Sequence, residues 1–597
     1  MNAENTTVSQ GADPAQFKKL YAGGPRLWLP LTLVTLFWLG SFVVSAVDKP
    51  YFDGFLYALA SSGLLLLLFL AWWLTNRRVT RGERLYGLAL VLGTGVLAFF
   101  ISHKSVGFFG VLTLGLPLAL TTWTLLMAVV KKMAFTWKRL GTLAVFALTW
   151  APLILVRIDG VDSDLRGDVR WRWATSSEDL FLAEKACTRS AETLADRDTQ
   201  TTVLLSPGDW PEFRGPDRDG VIHGVRISTD WRTAPPRLLW RQRVGPAWSS
   251  VIVIGKRLFT QEQRGDEEAV VCYEAGTGKE IWSHTDTARF WDPVSGAGPR
   301  ATPTFFGGRI YALGGTGILT CLDAATGKPY WRHDLPAEVA APTPLWGFSA
   351  SPLVIDDKVI VFAGGKTEKT LWAYRADSGE PAWSAPAGAG SYSSPQAARL
   401  AGKRQCLMLT DDGLSAFAPD TGALLWKHGR AMPGAPRTAQ PHLLGEDELL
   451  VASLAGPGVV RLKLSQDGEA LKPEEIWPST DLKPEFPDLV VHEGHAYGFD
   501  VNIFCCIDLA TGKRSWKAGR YGRGQVMLLA DQGLLLVLSE TGEAVLLAAN
   551  PKRHEEVGRF QALHGKTWNH PVIAHGRLYA RNAEEMACYE LKPAQAH

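Results

Sequence analysis

The sequence lacks an excess of charge of either sign. Its 597 residues carry a formal net charge of only +2. Nucleic-acid-binding proteins present a basic face or stripe, so this balance predicts no nucleic-acid partner. One hydrophobic core stops growing near ~250–300 residues, so a chain of this length is expected to hold more than one domain.

Charge is scarcest between residues 27 and 156, where long apolar runs are broken only by short basic patches. Crossing a ~30 Å hydrocarbon core takes ~20 helical residues. Five segments meet that length or come close to it: Leu27–Val47, Phe55–Leu74, Leu85–Ile101, Gly107–Val130 and Leu140–Val156. They predict an N-terminal α-helical transmembrane bundle of about five helices, with the lipid bilayer as its partner.

These apolar segments also lack the ionisable pairs that mark a proton or ion path through a membrane. His103 and Lys104 fall in a loop. The first segment follows a polar leader of 26 residues and has no clear small-x-small cleavage site, so we expect no cleaved signal peptide. The bundle is therefore expected to serve as an anchor.

The stretches between the apolar segments alternate between rich and poor in basic residues. Three stretches are rich in Lys and Arg: residues 18–26, 77–84 and 131–139. The two loops between them carry only Lys49 and Lys104. Short cytoplasmic loops retain Lys and Arg, so the pattern predicts a cytoplasmic N-terminus in the inner membrane. Five crossings would then place the C-terminal part in the periplasm or its equivalent.

From about residue 210 the sequence contains a repeat. Its turns contain Thr-Gly, Ser-Gly or Asp-Gly, with glycines at 278, 327, 379, 422, 468, 512 and 542, and most are followed four residues later by Trp. These tryptophans are Trp282, Trp331, Trp383, Trp426 and Trp516. Glycine supplies the positive φ of a tight hairpin turn, and the aromatic ring is expected to wedge between neighbouring sheets.

A second marker runs in step with the first, because a residue-Pro pair precedes a short apolar run in most repeats. The pairs end at Pro303, Pro352, Pro395, Pro441, Pro487 and Pro571. A period of 40–50 residues with about four strands per unit is typical of a β-propeller. Counting unit starts predicts eight blades, with seven as the alternative. The segment from Arg237 to Trp240 is expected to supply the missing outer strand of the last unit and so close the ring.

The Thr-Gly-Lys-x-x-Trp pattern resembles the PQQ-repeat, or quinoprotein-like, propellers, over roughly residues 210–592. That superfamily includes PQQ-dependent alcohol and glucose dehydrogenases and the propeller lipoprotein of outer-membrane assembly. The segment from Asp209 to Gly220 also looks like the opening of these propellers. The membrane glucose dehydrogenases join five transmembrane helices to such a propeller, and this chain shares that layout.

For an enzyme, the resemblance implies PQQ and Ca²⁺ as cofactors, with a catalytic Asp. The acids considered for these roles are Glu262, Asp292 and Asp500, and none lies in a motif that matches the catalytic pattern. The resemblance also draws attention to the vicinal Cys505-Cys506, since the alcohol dehydrogenases stack a vicinal disulfide on PQQ. However, Cys506 shares its repeat position with three other cysteines, which favours a structural role.

Propellers usually bind ligands at the mouth of the central channel, where the loops that lead into the inner strands converge. The candidate ligand-binding residues lie directly before the proline markers: Trp248, Arg300, Trp346, Tyr392, Arg437, Trp568, Asn569 and His570, with Ser249 and Ser393 beside them. Two arginines with several aromatic and amide groups would suit a small anionic planar ligand or a peptide. Packing of the loops against one another is the alternative.

The predicted organisation has four parts: a cytoplasmic segment (1–26), the five-helix transmembrane domain (27–156), an extracytoplasmic linker (157–209) with a helix around Asp179–Ala195, and the propeller (210–597). The preferred function is a membrane-anchored binding or scaffold module without catalysis, whose partners are other envelope proteins or a small anion. The alternative is a quinoprotein dehydrogenase that oxidises an alcohol or sugar and reduces membrane quinone.

Overall fold

A computed structural model of the chain describes residues 25–47, 51–129, 135–162, 166–191, 202–339, 342–429, 437–452, 458–468, 470–485 and 487–594. The chain divides into two units, Met1–Ala174 and Thr175–His597. Much of the basic residue pattern used for orientation, including Lys18, Lys49 and Lys131, lies outside the described residues.

The first unit is helical, as the apolar segments predicted. Its helices are Trp28–Ser45, Tyr51–Thr75, Arg81–Ile101, Gly107–Gly110, Leu116–Val129 and Phe135–Leu155, with a π-helical turn at Val111–Gly115. Among the described residues, four apolar stretches are long enough to cross a bilayer: Trp28–Ser45, Asp53–Thr75, Arg81–Ile101 and Gly107–Val129. The fifth predicted crossing is also a helix, but its apolar part, Arg139–Leu155, is shorter.

Aromatic side chains form the centre of this unit. Phe69, Trp73, Trp123 and Phe146 are all buried, and the rings of Trp73 and Trp123 lie 4.7 Å apart. By contrast, many Leu and Phe side chains on the outward faces of the same helices are exposed. Helices that bury aromatics inside and show apolar residues outside are expected where lipid is the solvent.

The second unit contains eight sheets, the blades, all formed by described residues. Seven are four-stranded and antiparallel, and the remaining one has four antiparallel strands with one short parallel strand added. We number them 1 to 8 from the first complete one in the chain. Their inner strands are Ile252–Ile254, Thr304–Phe306, Leu353–Ile355, Gln396–Leu400, His442–Leu443, Val490–His492, Gln525–Leu529 and Val572–Ala574. Their second strands are Arg257–Arg264, Arg309–Leu313, Lys358–Phe362, Lys403–Thr410, Glu448–Ala452, His495–Asp500, Leu534–Leu538 and Arg577–Arg581.

The remaining strands complete the blades. The third strands are Glu267–Glu274, Ile318–Asp323, Leu371–Arg375, Gly413–Phe417, Val459–Asp467, Ile503–Asp508, Glu543–Ala548 and Glu585–Glu590. The outer strands of blades 1 to 7 are Glu280–Thr287, Pro329–Asp334, Pro381–Ala385, Leu424–His428, Ala470–Ser479, Arg514–Arg520 and Glu556–Gln561. The outer strand of blade 8 is Arg237–Arg243, which pairs with Glu585–Glu590. The predicted count of eight and the predicted ring closure are both confirmed.

The repeat tryptophans lock each blade to the next. Trp282 of blade 1 lies under the Thr-Gly turn of blade 2, where a Cβ on Gly327 would meet its ring at 2.5 Å. Its Nε1–H donates to the carbonyl of Ala324 in that turn at 3.2 Å. Five more tryptophans donate to the next blade in the same way: Trp240, Trp331, Trp383, Trp477 and Trp516. Gly327 has a φ of +73°, so glycine serves both the turn and the close approach.

Two blades depart from this repeat. Trp426 of blade 4 donates to Gln405 of its own blade, because the degenerate turn of blade 5 leaves open space around Gly468. In blade 7 the Thr541-Gly542 turn joins the second and third strands, whereas the other turns of the repeat join the third and outer strands. The outer strand of blade 7 has Gly558 instead of Trp, and the ring of Trp231 packs there.

Part of the predicted linker is ordered against the propeller. It contains the helix Ser177–Ala191, close to the expected helix, while residues 192–201 lie outside the description. Phe181 of this helix is buried, and Glu178 forms a two-pronged ion pair with Arg289 of blade 1 at 2.7 and 2.8 Å. The helix therefore belongs structurally to the propeller unit.

Two short hairpins and three further elements complete the described secondary structure. One hairpin, Val156–Val161 with Gly167–Trp171, follows directly after the last helix of the first unit. The other elements are Val221–Ile222, which pairs parallel to the inner strand of blade 7, the pair Trp291–Asp292 and Gly296–Ala297, the helix Leu335–Val339 and a 3₁₀ turn at Ala530–Gln532.

Candidate functional site

A belt of hydrogen bonds runs around the central channel where the inner strands begin. In five successive steps, a backbone N–H at this position donates to the side chain of the equivalent residue in the next blade, over 2.6–3.2 Å. The belt residues are Ser250, Thr302, Ser351, Ser394, Gln440 and Asp488. This explains the residue-Pro markers, since the residue before Pro supplies the linking side chain. In blade 6 that residue is Asp488, one position after the marker at Pro487.

Residues 209–220, which we call the plug, cross the channel inside the ring of inner strands. Trp210 pairs with Val253 of blade 1, and the carbonyl of Pro211 accepts from Phe305 N of blade 2 at 2.8 Å. Further along, Asp217 O accepts from Gln396 of blade 4, and Gly220 O from Leu528 N of blade 7 at 2.9 Å. The chain itself therefore fills the channel.

Two buried arginines hold the plug in place. Arg214 donates to Leu489 O of blade 6 at 2.8 Å and lies 3.5 Å from the carboxylate of Asp488. Arg218 donates to Pro352 O of blade 3 at 3.0 Å and to Glu212 within the plug at 2.6 Å. Burial raises the pKa of Glu212 and of Asp488, although the arginines oppose the shift. These bonds fix the plug to the blades on both sides of the channel.

Four of the predicted residues form two aromatic pairs at the mouth, the end of the channel where the inner strands begin. Trp248 and Trp568, next to blades 1 and 8, have ring centres 4.9 Å apart. Trp346 and Tyr392, next to blades 3 and 4, have ring centres 5.1 Å apart. All four are half-buried, so each presents part of an aromatic face at the mouth. The structure thus brings together the aromatic members of the predicted site.

Lys566 completes the first aromatic pair, and sequence analysis missed it. Its ammonium lies 4.4 Å from the ring centre of Trp568 and 5.2 Å from that of Trp248. It also donates to Val294 O at 3.1 Å, while the indole N–H of Trp568 donates to Glu540 at 2.8 Å. Lys566 lies two residues before Trp568, outside the positions next to proline on which the prediction rested.

The two predicted arginines point away from the open mouth. Arg300 is bound to the carboxylate of Asp292 at 2.5 Å and stacks over Phe290 at 4.3 Å. Arg437 is buried and donates to Thr410 O at 3.3 Å. Burial lowers the pKa of both guanidinium groups. These contacts give both arginines roles within the ring and weaken the case for a small anionic ligand.

The remaining predicted residues support loops. Asn569 donates to Ser249 O at 2.8 Å, and Ser393 donates to Ala439 O at 3.1 Å. His570 faces the plug, with its ring 5.0 Å from that of Phe213. Burial, followed by the nearby charge of Arg214, lowers the pKa of His570 to about 3. Its imidazole is therefore neutral near pH 7 and carries no charge toward a ligand.

The acids considered for calcium or catalysis are each bound by cations. Glu262 accepts from Arg264 and from Tyr273 at 2.7 and 3.0 Å. Asp500 lies 2.7 Å from Lys517 and 3.1 Å from Arg514, and Asp292 binds Arg300. Calcium needs six or more hard oxygen ligands, and the described part of the chain holds no group of three or more acidic, His or Cys side chains that could bind a metal. These residues do not fit the calcium and catalytic acid of a PQQ enzyme.

The vicinal cysteines are separate structural residues. Cys505 and Cys506 are free and fully buried, and as neighbours in a strand they point to opposite faces of blade 6. Cys506 lies opposite Trp516, as Cys272 does opposite Trp282. A small side chain at this position leaves room for the tryptophan ring, which explains why the position repeats.

Comparison with known proteins supports the repeat. Residues 266–518 match the family described as outer membrane protein assembly factor BamB, which confirms the PQQ-like repeat identified from the sequence. No curated protein matches the chain.

Solved structures to which the chain is similar include BamB from Moraxella catarrhalis, at 18% identity, covering 60% of this chain and 99% of that one with a TM-score of 0.42. They also include the quinohemoprotein alcohol dehydrogenase from Comamonas testosteroni, at 14% identity, 70% and 85% coverage and a TM-score of 0.46.

Proposed function

We propose that this chain is a membrane-anchored PQQ-like propeller that binds a segment of another envelope protein at the channel mouth and catalyses no reaction. One observation carries the proposal: the plug fills the central channel with the chain's own residues. A ligand can then reach only the rim, where the two aromatic pairs lie. A rigid ring with a closed channel suits recognition of a surface or an extended peptide better than enclosure of a cofactor.

The chemistry of the rim supports a peptide ligand. Half-buried aromatic rings with a fixed polar tip are typical anchors in protein interfaces. Trp248, Tyr392 and Trp568 are of this kind, Trp346 adds a half-buried ring, and Lys566 adds one cation. The arginines that would bind a small anion are held by Asp292 and by backbone carbonyls instead.

The membrane placement combines the apolar helices with the sequence pattern of charges. The helices of the first unit supply the anchor. The alternation of basic and non-basic loops supports a cytoplasmic N-terminus and an extracytoplasmic propeller in the inner membrane. A reporter active only outside the cytoplasm, fused after Asp209, tests this orientation. A silent fusion with normal expression would reverse it.

The alternative, a PQQ- and calcium-dependent dehydrogenase, is tested by binding. Isothermal titration of PQQ with Ca²⁺ into the full chain in lipid nanodiscs is expected to give no heat of binding at tens of micromolar. The sample is checked for an intact propeller by its melting transition. Stoichiometric, calcium-dependent binding would favour the dehydrogenase and overturn the proposed role.

Binding at the mouth is tested by photocrosslinking with a matched pair of tyrosines. Tyr392 lies at the mouth. Tyr330 is 53% exposed and follows the Thr-Gly turn of blade 2, at the opposite end of the antiparallel sheet. A benzophenone amino acid at position 392 is expected to crosslink to an envelope protein in cells, whereas the same group at 330 gives no such product.

A second variant tests whether the crosslink from position 392 depends on the aromatic pair. Trp346→Ala removes the partner ring of Tyr392 while leaving the belt and plug intact. It should reduce the crosslink from position 392 several-fold without changing the amount of protein in the membrane. Equal crosslinking from 392 and 330, or no effect of Trp346→Ala, would place the binding surface elsewhere.

A further inference from the structure

The hairpin formed by Val156–Val161 and Gly167–Trp171, which we call the ribbon, has two unlike faces. Its strands pair antiparallel, with Trp171 opposite Val156 and Val169 opposite Ile158. Because side chains alternate along a strand, these four apolar residues share one face. The other face carries charged residues that form ion pairs. Arg157 lies 2.8 Å from Asp159, and Arg170 lies 3.1 Å from Asp168.

The apolar face of the ribbon is open only in its second strand, since Val156 and Ile158 of the first strand are half-buried and Ile158 packs against the core of the helical unit. Val169 is 57% exposed and Trp171 is 55% exposed. Trp173, just beyond the strand, is 69% exposed and stacks on Trp171 with ring centres 5.3 Å apart and planes at 9°. Together they present on the order of 300 Å² of apolar surface, the size of a patch that marks an interaction site. A two-stranded hairpin is marginal in water unless its apolar face is covered.

Both ends of the ribbon are fixed to the ends of apolar helices. The first strand begins at Val156, directly after the helix that ends at Leu155. At the other end, Arg172 N donates to Leu155 O at 2.8 Å, and the guanidinium of Arg172 donates to Ile101 O at 2.9 Å. Ile101 is the last residue of its helix. In the middle, Ile158 N donates to Ser105 Oγ at 2.8 Å.

We propose that the ribbon lies in the headgroup layer of the bilayer, with Val169, Trp171 and Trp173 turned toward lipid. No residue separates the last helix from the first strand, and Ile158 packs against the core of the helical unit, so the ribbon is held at the end of the apolar helices. Tryptophan prefers the boundary between headgroups and acyl chains, and the exposed acidic residues Asp159 and Asp168 on the other face suit contact with water. The inference rests on the proposed membrane anchoring of the helices.

Spin labelling of adjacent residues on opposite faces tests the inference in the full chain in nanodiscs. Cys187 is the exposed cysteine and is changed to Ser, while the other six are buried. A nitroxide is attached to Val169→Cys or to Asp168→Cys, whose native side chain is 50% exposed. Collision with O₂, which concentrates in the bilayer, is compared with collision with a nickel chelate, which stays in water. The ratio of O₂ to nickel collisions is expected to be several-fold higher at 169 than at 168.

Equal ratios at 168 and 169 would overturn the inference, and so would low collision with both reagents at 169, which would show that protein covers the face. A third label at Leu97→Cys, on a 58% exposed position of the helix Arg81–Ile101, separates the two levels of the argument. A lipid-like ratio at 97 with a water-like ratio at 169 would contradict only the placement of the ribbon in the headgroup layer. A water-like ratio at 97 would contradict the proposed anchoring of the helices in the membrane.

Discussion

The docking of each tryptophan beneath the next Thr-Gly turn makes a prediction that a matched pair of glycines can test. Gly327 and Gly468 both have positive φ, +73° and +63°. A Cβ on Gly327 would lie 2.5 Å from the Trp282 ring, whereas none of the described atoms lies within 4 Å of a Cβ on Gly468. Alanine at either position carries the same left-handed backbone cost, about 1–2 kcal/mol. Only at 327 does it also overlap a buried ring, which adds about 1–3 kcal/mol.

We therefore expect Gly468→Ala to lower the free energy of unfolding by about 1–2 kcal/mol and Gly327→Ala by about 2–5 kcal/mol. The measurement is urea unfolding of the full chain in detergent, followed by tryptophan fluorescence, with melting temperatures as a second readout. A double variant of Gly327→Ala with Trp282→Phe should show a coupling energy, since the smaller ring relieves the overlap. Equal losses for the two single variants would refute the docking argument.

Three further predictions concern titration and thiols. Burial, and then the charge of Arg214, lower the pKa of His442 to about 3. The unfolded chain takes up this proton near pH ~6.5, so the free energy of unfolding falls as the pH drops below that value, by about 2 kcal/mol at pH 5. His442→Gln should make the free energy of unfolding fall less steeply between pH 7 and 5. An unchanged slope would mean that other groups cause this pH dependence. Burial raises the pKa of Glu268 to about 7. The unfolded chain loses this proton near pH 4.5, so the free energy of unfolding falls as the pH rises from 4.5 to 7. Glu268→Gln keeps the acceptor for Gly315 N. It should raise the free energy of unfolding by about 3 kcal/mol at pH 8 and by little at pH 5. A lower free energy of unfolding at pH 8 would contradict this prediction. Burial raises the pKa of the Cys506 thiol to about 11, so iodoacetamide should modify only Cys187 in the folded chain and all seven cysteines after unfolding, as counted by mass spectrometry.

The architecture could be predicted because local signals repeat. Most Thr-Gly turns with their Trp encode one blade interface each, and the count of eight followed from the unit starts that run in step with them. The Thr541-Gly542 turn misled, because blade 7 uses the same dipeptide between its second and third strands. A tight positive-φ turn is required there too, and a dipeptide does not say which pair of strands it joins.

The site could be predicted only in part. The positions before the proline markers located the mouth and its aromatic pairs. They could not show that Arg300 is held by Asp292, a residue eight positions earlier in a loop with no regular pattern. The plug was recognisable as an opening segment, but its place inside the ring depends on bonds from Arg214 and Arg218 to blades 130–280 residues away. Such distant contacts leave no periodic trace in a sequence.

The closure of the ring by Arg237–Arg243 has a consequence for the order in which the protein is made. The partner strand, Glu585–Glu590, is synthesised some 350 residues later, since Arg237 and Glu590 are 353 positions apart. Until that strand emerges, blades 1 to 7 form an open arc and Arg237–Arg243 lacks its partner, which leaves an unpaired strand edge. Contacts of such long range slow folding, and open edges favour pairing between chains. A chain truncated within blade 8 lacks the partner of Arg237–Arg243 and therefore cannot close the ring.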